Sequence, residues 1–224
     1  TQPGIFIIEC ILFDLINKKE IEPNYVAGHS LGEYSALYAA GIFDFETGLI
    51  LVKSRSLAMK KAGKRNSGSM AAIIGLDSEE LIKICDSISN VDDIVVPANF
   101  NSPSQIVISG TKIAVKKTME VCKEMGEKKT IELNVSGAFH SPLMKEAKNE
   151  MKEKIEQLKF KTPRCPIIMN VTGEETIDEN KIKINLINQL DHPVRWLETI
   201  NRFNKLGISN FIEVGPNRVL RGLN

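Results

Sequence analysis

The chain has 224 residues, with 29 Lys and Arg against 28 Asp and Glu and a formal net charge of +1, which leaves room for one large domain or two small ones sharing a core. So even a balance gives no field for steering onto phosphates or anionic lipid, and no run reaches the roughly 18 apolar residues of a membrane helix; the nearest, 5–16, carries Glu9 and Asp14. No nucleic acid and no membrane partner is therefore expected, no basic-then-apolar leader stands at the start, and Cys10, Cys85, Cys122 and Cys165 are too scattered for a metal set, which reads as reduced thiols in a reducing compartment.

In chain order, residues 3–17 place Pro3 in an opening turn and apolar residues on almost every side, which predicts a buried helix. After a loop at 18–23, the run 24–28 is too short for a helix and predicts a buried strand. It feeds a helix at 30–40 that Gly41 stops. Asp44 can cap a third helix over 45–62, with Leu49, Val52 and Leu57 expected on its inner side, and 63–69 breaks the pattern with Gly, Ser and charge.

From 70 to 135 the pattern is self-contained: strand 70–76, helix 78–89, strand 94–100, turn 101–104, strand 105–110, helix 113–125 and strand 129–135. The order β-α-β-β-α-β is ferredoxin-like, a small sheet with two helices on one face. The fold class expected is therefore α/β, with residues 67–135 as a subdomain inserted into a core made of 1–66 and 136–224. Beyond the insert come a loop at 136–141, an amphipathic helix at 142–158 and a strand at 166–171. A polar stretch then leads to 184–190, followed by a helix at 193–205, a last strand at 211–214, and residues 217–224 opening a further helix.

Gly28-His29-Ser30-Leu31-Gly32 is a G-x-S-x-G sequence between a short apolar strand and a helix. A serine on such a turn stands clear of the sheet at the positive end of the helix, where the next backbone N–H can donate to an oxyanion. The plainer reading is a tight turn with Ser30 as a helix cap; the strand and helix on either side favour a nucleophile. A nucleophilic serine needs a base. Of three histidines, His29 adjoins Ser30 and should point elsewhere, His192 precedes Pro193, and His140 lies on a Gly-containing loop where functional residues are commonly displayed. By residue type, Asp191 is the acceptor chosen for the other imidazole N–H, although any of 28 carboxylates could serve and an exposed turn aspartate is the simpler reading. Arg55, one of seven arginines, stands on the helix after the elbow helix, where spacing alone favours a solvated or surface-paired side chain over a functional one.

Taken together, the stretch from Gly28 to Leu37, Arg55, the stretch from Gly137 to Met144, Gln189-Leu190 with Pro193-Val194-Arg195-Trp196, and Glu213-Val214-Gly215-Pro216 resemble, in order and over the whole length, the malonyl-CoA:acyl-carrier-protein transacylase family of fatty acid and polyketide synthesis. The resemblance implies an α/β-hydrolase-like core with an inserted ferredoxin-like subdomain. It implies that Ser30 accepts the malonyl group, that His140 is general base and acid, and that Arg55 holds the malonyl carboxylate. It also implies that the backbone carbonyl of Gln189 replaces Asp191 as the imidazole's acceptor, that the Leu31 N–H is one oxyanion donor, that His29 lines the acyl pocket, and that Phe139 marks the malonyl-selecting form of the loop. Malonyl-CoA and acyl carrier protein are the implied partners, with no cofactor, no metal and a monomeric enzyme. A second oxyanion donor comes, in that family, from a Gly-Gln-Gly-Ser-Gln-like loop well upstream of the elbow. No such loop precedes Pro3, so the polypeptide is expected to extend upstream.

Three other readings are separable. A serine esterase or thioesterase would share the elbow and histidine but let water resolve the acyl enzyme, an inactive docking module would keep the fold alone, and an RNA-binding sheet would need stacking aromatics that 70–76 and 105–110 lack. The abundance of Lys, Asn and Ile points to an AT-rich genome, and hence to a bacterial cytoplasm or the plastid stroma of a eukaryotic parasite.

Overall fold

In the computed structural model, which describes residues 1–125 and 129–223, the chain first lays down three helices around one short strand: α1 (Gln2–Asn17), β1 (Val26–Ala27), α2 (Gly32–Ala39) and α3 (Phe45–Arg65). Pro3 sits in the first turn of α1, where its missing N–H would have no partner in any case. Burial on every side is not what α1 shows. Phe6 and Cys10 are buried against α2 and α3, whereas Ile8, Ile11 and Leu15 on the other side are 43%, 52% and 51% exposed. Two polar clasps fasten α1 to α2: Ser35 donates to the Glu9 carboxylate, and the Tyr38 hydroxyl donates to Asp14 at 2.9 Å.

Asp44 caps α3 by accepting the Thr47 N–H at 2.9 Å, and the helix runs three residues past its expected end. Its buried stripe is Leu51, Val52, Arg55, Ala58, Met59 and Ala62. At 3.6 residues per turn, position 57 falls on the opposite side of that stripe. Leu57 is accordingly 58% exposed, which corrects the inner position expected for it; Val52 is buried and Leu49 packs at the margin of the core.

The insert forms β2 (Gly68–Ile74), α4 (Ser78–Ile88), β3 (Val95–Ser102), β4 (Gln105–Thr111), α5 (Lys112–Glu124) and β5 (Lys129–Glu132). Its strands lie in the order β5-β2-β4-β3 with antiparallel pairing throughout, the ferredoxin-like arrangement. Because side chains alternate across a strand, Ala71, Ile73, Ile106 and Ile108 meet Leu81, Cys85, Val115 and Cys122 of the two helices. Met70, Ala72, Ala98 and Val107 face the other way, onto Leu133, Val135 and Phe139.

A 3-10 turn at Pro142–Met144 leads into α6 (Lys145–Glu156), followed by β6 (Ile167–Ile168), β7 (Glu175–Thr176), α7 (Glu179–Asn188), β8 (Val194–Arg195) and α8 (Trp196–Lys205). β6 pairs in parallel with β1 and antiparallel with β7, so the strand expected at 166–171 contributes only two residues to a ladder. β8 adds in parallel to β3, with Asn99 opposite Val194 and Phe100 opposite Arg195, which delays the start of the helix expected from 193. Residues 211–214 pair with no strand among the described residues, contrary to expectation. Ile212 is 60% exposed there and Phe211 rests edge-on against Phe203 with ring centroids 5.3 Å apart. In place of a helix from 217 there is one 3-10 turn, Leu220–Gly222, whose Leu220 and Arg221 N–H groups donate to the Glu213 carboxylate; residue 224 lies outside the described residues. The result is an α/β core carrying a ferredoxin-like insert.

Candidate active site

The chain turns from β1 into α2 within residues 28–31, and the turn is tight enough that a Cβ on Gly28 would overlap the Gly32 carbonyl. Ser30 sits at φ +53°, in the left-handed region that an ordinary side chain occupies at a cost of about 1–3 kcal/mol. Hydrogen bonds on both sides over-determine it. Its N–H donates to Asn170 Oδ1 at 2.7 Å, its carbonyl accepts from Gln189 Nε2 at 2.8 Å, and Asn170 Nδ2 donates to the Gly28 carbonyl at 2.6 Å. The Leu31 N–H follows directly, at the opening of α2.

His140 occupies the 136–141 loop, also with positive φ (+56°). The loop is pressed against α3, since a Cβ on Gly63 would overlap the Ser136 carbonyl, and it is tied internally by Ser141 Oγ donating to the Ala138 carbonyl at 2.7 Å. The imidazole joins two partners: Nδ1 lies 2.7 Å from the Gln189 carbonyl oxygen and Nε2 lies 2.7 Å from Ser30 Oγ. A carbonyl can only accept, so Nδ1 carries the proton and the bare Nε2 accepts from the serine hydroxyl. Burial, reinforced by the Arg55 charge, pushes the imidazole down to about 3 and keeps it neutral.

Asp191 does not reach His140. It bonds His192 Nδ1 at 2.6 Å and Lys148 at 3.1 Å, one turn past α7, so the acceptor picked by residue type is overturned and the Gln189 carbonyl stands in its place. His29 turns away from Ser30, with Nε2 2.9 Å from Asn101 Oδ1 on β3 and its ring 5.7 Å from that of Trp196. Phe139 packs half-buried where the main core meets the outer face of the insert's sheet.

Arg55 is 1% exposed. Its Nη2 donates to Ser30 Oγ at 2.9 Å and to Gln189 Oε1 at 3.0 Å, and Nη1 donates to Gln2 Oε1 at 2.6 Å. The Tyr34 ring lies 5.5 Å beneath the guanidinium. All three acceptors are neutral oxygens, so a buried cation faces the serine with no carboxylate in direct contact among the described residues. Sequence reasoning passed over Gln2, Glu33, Asn170 and the Gln189 side chain. Glu33 is fully buried and accepts from the Asn170 N–H at 2.6 Å and from Gln189 Nε2 at 2.7 Å. An acid in the first turn of a helix is ordinarily a favourable dipole contact, so nothing in its position singled it out.

A serine hydroxyl bonded to a neutral imidazole, at a helix N-terminus and beside an unpaired guanidinium, can carry an acyl group that ends in an anion. The acyl transferase domain family matches residues 1–222. The malonyl CoA-acyl carrier protein transacylase of Bacillus subtilis is 41% identical over 223 residues, spanning the whole of this chain and 70% of that protein. Among solved structures, an acyl carrier protein S-malonyltransferase from Vibrio cholerae superposes with a TM-score of 0.95 at 41% identity, covering all of this chain and 73% of its own. A malonyl-transacylase solved in complex with its type II polyketide acyl-carrier protein gives 0.95 at 38%, covering all of this chain and 72% of its own. With sequence, fold and chemistry in agreement, the chain belongs to the acyl transferase domain family and, within it, to the malonyl-CoA:acyl carrier protein transacylases.

Proposed function

We infer that this protein moves a malonyl group from malonyl-CoA to the phosphopantetheine thiol of acyl carrier protein, with Ser30 as the carrier of the group between them. The observation behind the residue roles is the 2.7 Å contact of Ser30 Oγ with a His140 Nε2 that must accept, made beside the Arg55 fork. Ser30 Oγ attacks the thioester carbonyl carbon while its proton passes to His140 Nε2. The carbon–sulfur bond then breaks, and the proton is returned to the departing coenzyme A sulfur. The Leu31 N–H donates to the oxyanion of the tetrahedral intermediate. In the second half, the carrier thiol gives its proton to His140, attacks the malonyl ester, and Ser30 leaves with that proton.

Arg55 binds the free malonyl carboxylate, both of whose oxygens suit a planar guanidinium. Its charge is also one reason that His140 is so weak a base in the empty site. A carboxylate arriving on Arg55 offsets that charge, so the imidazole gains basicity when the correct substrate is bound. His29 and Phe139 border the acyl group in this reading. The compartment we propose is reducing, a bacterial cytoplasm or a plastid stroma, and four unpaired, buried cysteines support it.

Intact-mass measurement after mixing with malonyl-CoA, followed by addition of acyl carrier protein, tests the whole sequence. One malonyl ester mapping to Ser30 and discharged onto the carrier is expected. A label on a cysteine, or a Ser30→Ala protein that still takes it up, would reject the assignment. Malonyl-CoA consumed without any thiol acceptor would make the protein a thioesterase.

A further inference from the structure

Glu33 is buried beneath the elbow with each carboxylate oxygen committed to a different neighbour. Oε1 takes the backbone N–H of Asn170, whose side chain grips the Ser30 N–H and the Gly28 carbonyl. Oε2 takes Gln189 Nε2, which also grips the Ser30 carbonyl; the same residue gives Oε1 to Arg55 and its backbone carbonyl to His140. Both faces of the elbow, the cation and the base thus converge on two residues, and both are anchored on one acid.

We propose that Glu33 is a positioning residue of the malonyl transfer: its ionised carboxylate locks Asn170 and Gln189, which hold the peptide groups of Ser30 in their left-handed turn and aim Arg55 and His140 at the hydroxyl. The proposal rests on the reading of Ser30 and His140 given above. The chemistry of the contacts demands an acid, because both neighbours present N–H donors and only a group with two acceptor oxygens satisfies them together. A glutamine would have to turn its NH2 against one donor.

A role of this kind has a signature in pH. The charged and titratable groups acting on Glu33 are Arg55 from α3, which favours the ionised form, and Tyr34 on its own helix; Asn170 and Gln189 are neutral donors that also favour ionisation. Burial outweighs them and raises the carboxyl to about 7, while His140 lies near 3. With acetyl-CoA, which brings no carboxylate to Arg55 and so leaves His140 low, an acid limb between pH 6 and 8 therefore belongs to Glu33 and not to the base.

The test is single-turnover acylation by malonyl-CoA and by acetyl-CoA from pH 5.5 to 8.5, which leaves out the titration of the accepting thiol. In the wild-type chain the maximal acylation rate should fall as pH drops through about 7. Glu33→Gln should lower that rate about 10²-fold, the scale of an ångström-level misplacement of reacting groups. Malonyl should lose at least as much as acetyl, because Gln189 positions Arg55 as well as His140, and the acid limb should vanish for both. Glu33→Asp, which keeps the charge, should recover part of the rate and retain a limb. A folded Glu33→Gln protein that acylates at the wild-type rate, or that keeps the wild-type limb, overturns the proposal. If Glu33→Gln does not fold, Glu33→Asp decides, and a wild-type rate without a limb there overturns it equally. A full-length wild-type protein that takes no malonyl group brings down the functional reading itself, whereas wild-type acylation unaffected in both variants brings down only the role of Glu33.

Discussion

At Arg55 a full positive charge is buried against three neutral oxygens and an aromatic face, and burial pulls its pKa down. Such a cation gains most from a ligand that brings its own negative charge. Arg55→Ala should therefore lower kcat/KM for malonyl-CoA by about 2–5 kcal/mol, the usual penalty for stranding one partner of a buried charge pair, and leave acetyl transfer little changed. Arg55→Lys should restore malonyl transfer in part, since an ammonium lacks the planar fork. Steady-state kinetics with both acyl donors checks this, and an equal drop for the two would make Arg55 structural. That Ser30 and His140 would meet was legible in the sequence, because a serine proposed as nucleophile on an elbow calls for a histidine partner from a loop. The imidazole's acceptor was not legible from residue type, because it is a backbone carbonyl, which every residue has. Glu33 and Asn170 were hidden for a related reason: their contact spans 137 positions and runs through a main-chain N–H.

Helices with a capping residue and a stripe were readable, as Asp44 at the start of α3 shows, whereas the periodicity of α3 misled where one leucine was assigned inward without fitting the stripe. Leu57→Ala on the exposed side should change unfolding free energy by less than about 0.5 kcal/mol. Leu51→Ala in the stripe should cost about 2–5 kcal/mol, and denaturant titration separates them. Two-residue strands such as β7 and β8 carry no period at all, so they escaped notice; pairing with a distant strand makes them, and residues 211–214 show the converse, a strand-like run with no edge to join. The close approach of α3 to the loop of His140 was equally invisible. Gly63→Ala there should push the loop off the helix, lowering stability by about 1–3 kcal/mol and the acylation rate with it. A variant with wild-type melting and kinetics would show that the loop can move aside freely.

On the scale of the whole molecule, two buried titratable groups pull stability in opposite directions with pH. His140 is held near 3 against an ordinary 6.5, so its contribution is fully present above 6.5 and is lost as pH falls toward 3. Glu33 is raised to about 7 from 4.5, so its contribution is fully present below 4.5 and is lost as pH rises through about 7. Between 4.5 and 6.5 the two offset each other, and below 4.5 only the histidine acts, at about 1.4 kcal/mol per pH unit. Denaturant unfolding should show that pair of slopes in comparison with His140→Gln, whose stability should instead rise steadily as pH is lowered from about 7 to 4.5. The fold class was readable because the insert's elements follow one another locally. The site was only partly so, because it is gathered from across the chain: the contact of Gln189 with the Ser30 carbonyl joins residues 159 positions apart, and β8 completes a sheet begun at β2. At a ribosome adding about 5–20 residues per second, the elbow emerges about 8–32 s before the residue that clamps it. During that interval Arg55 and Glu33 lack the partners that make their burial tolerable, so the nascent core stays open and hydrated, and Ser30 is clamped in its left-handed turn only once Asn170 and Gln189 have been delivered.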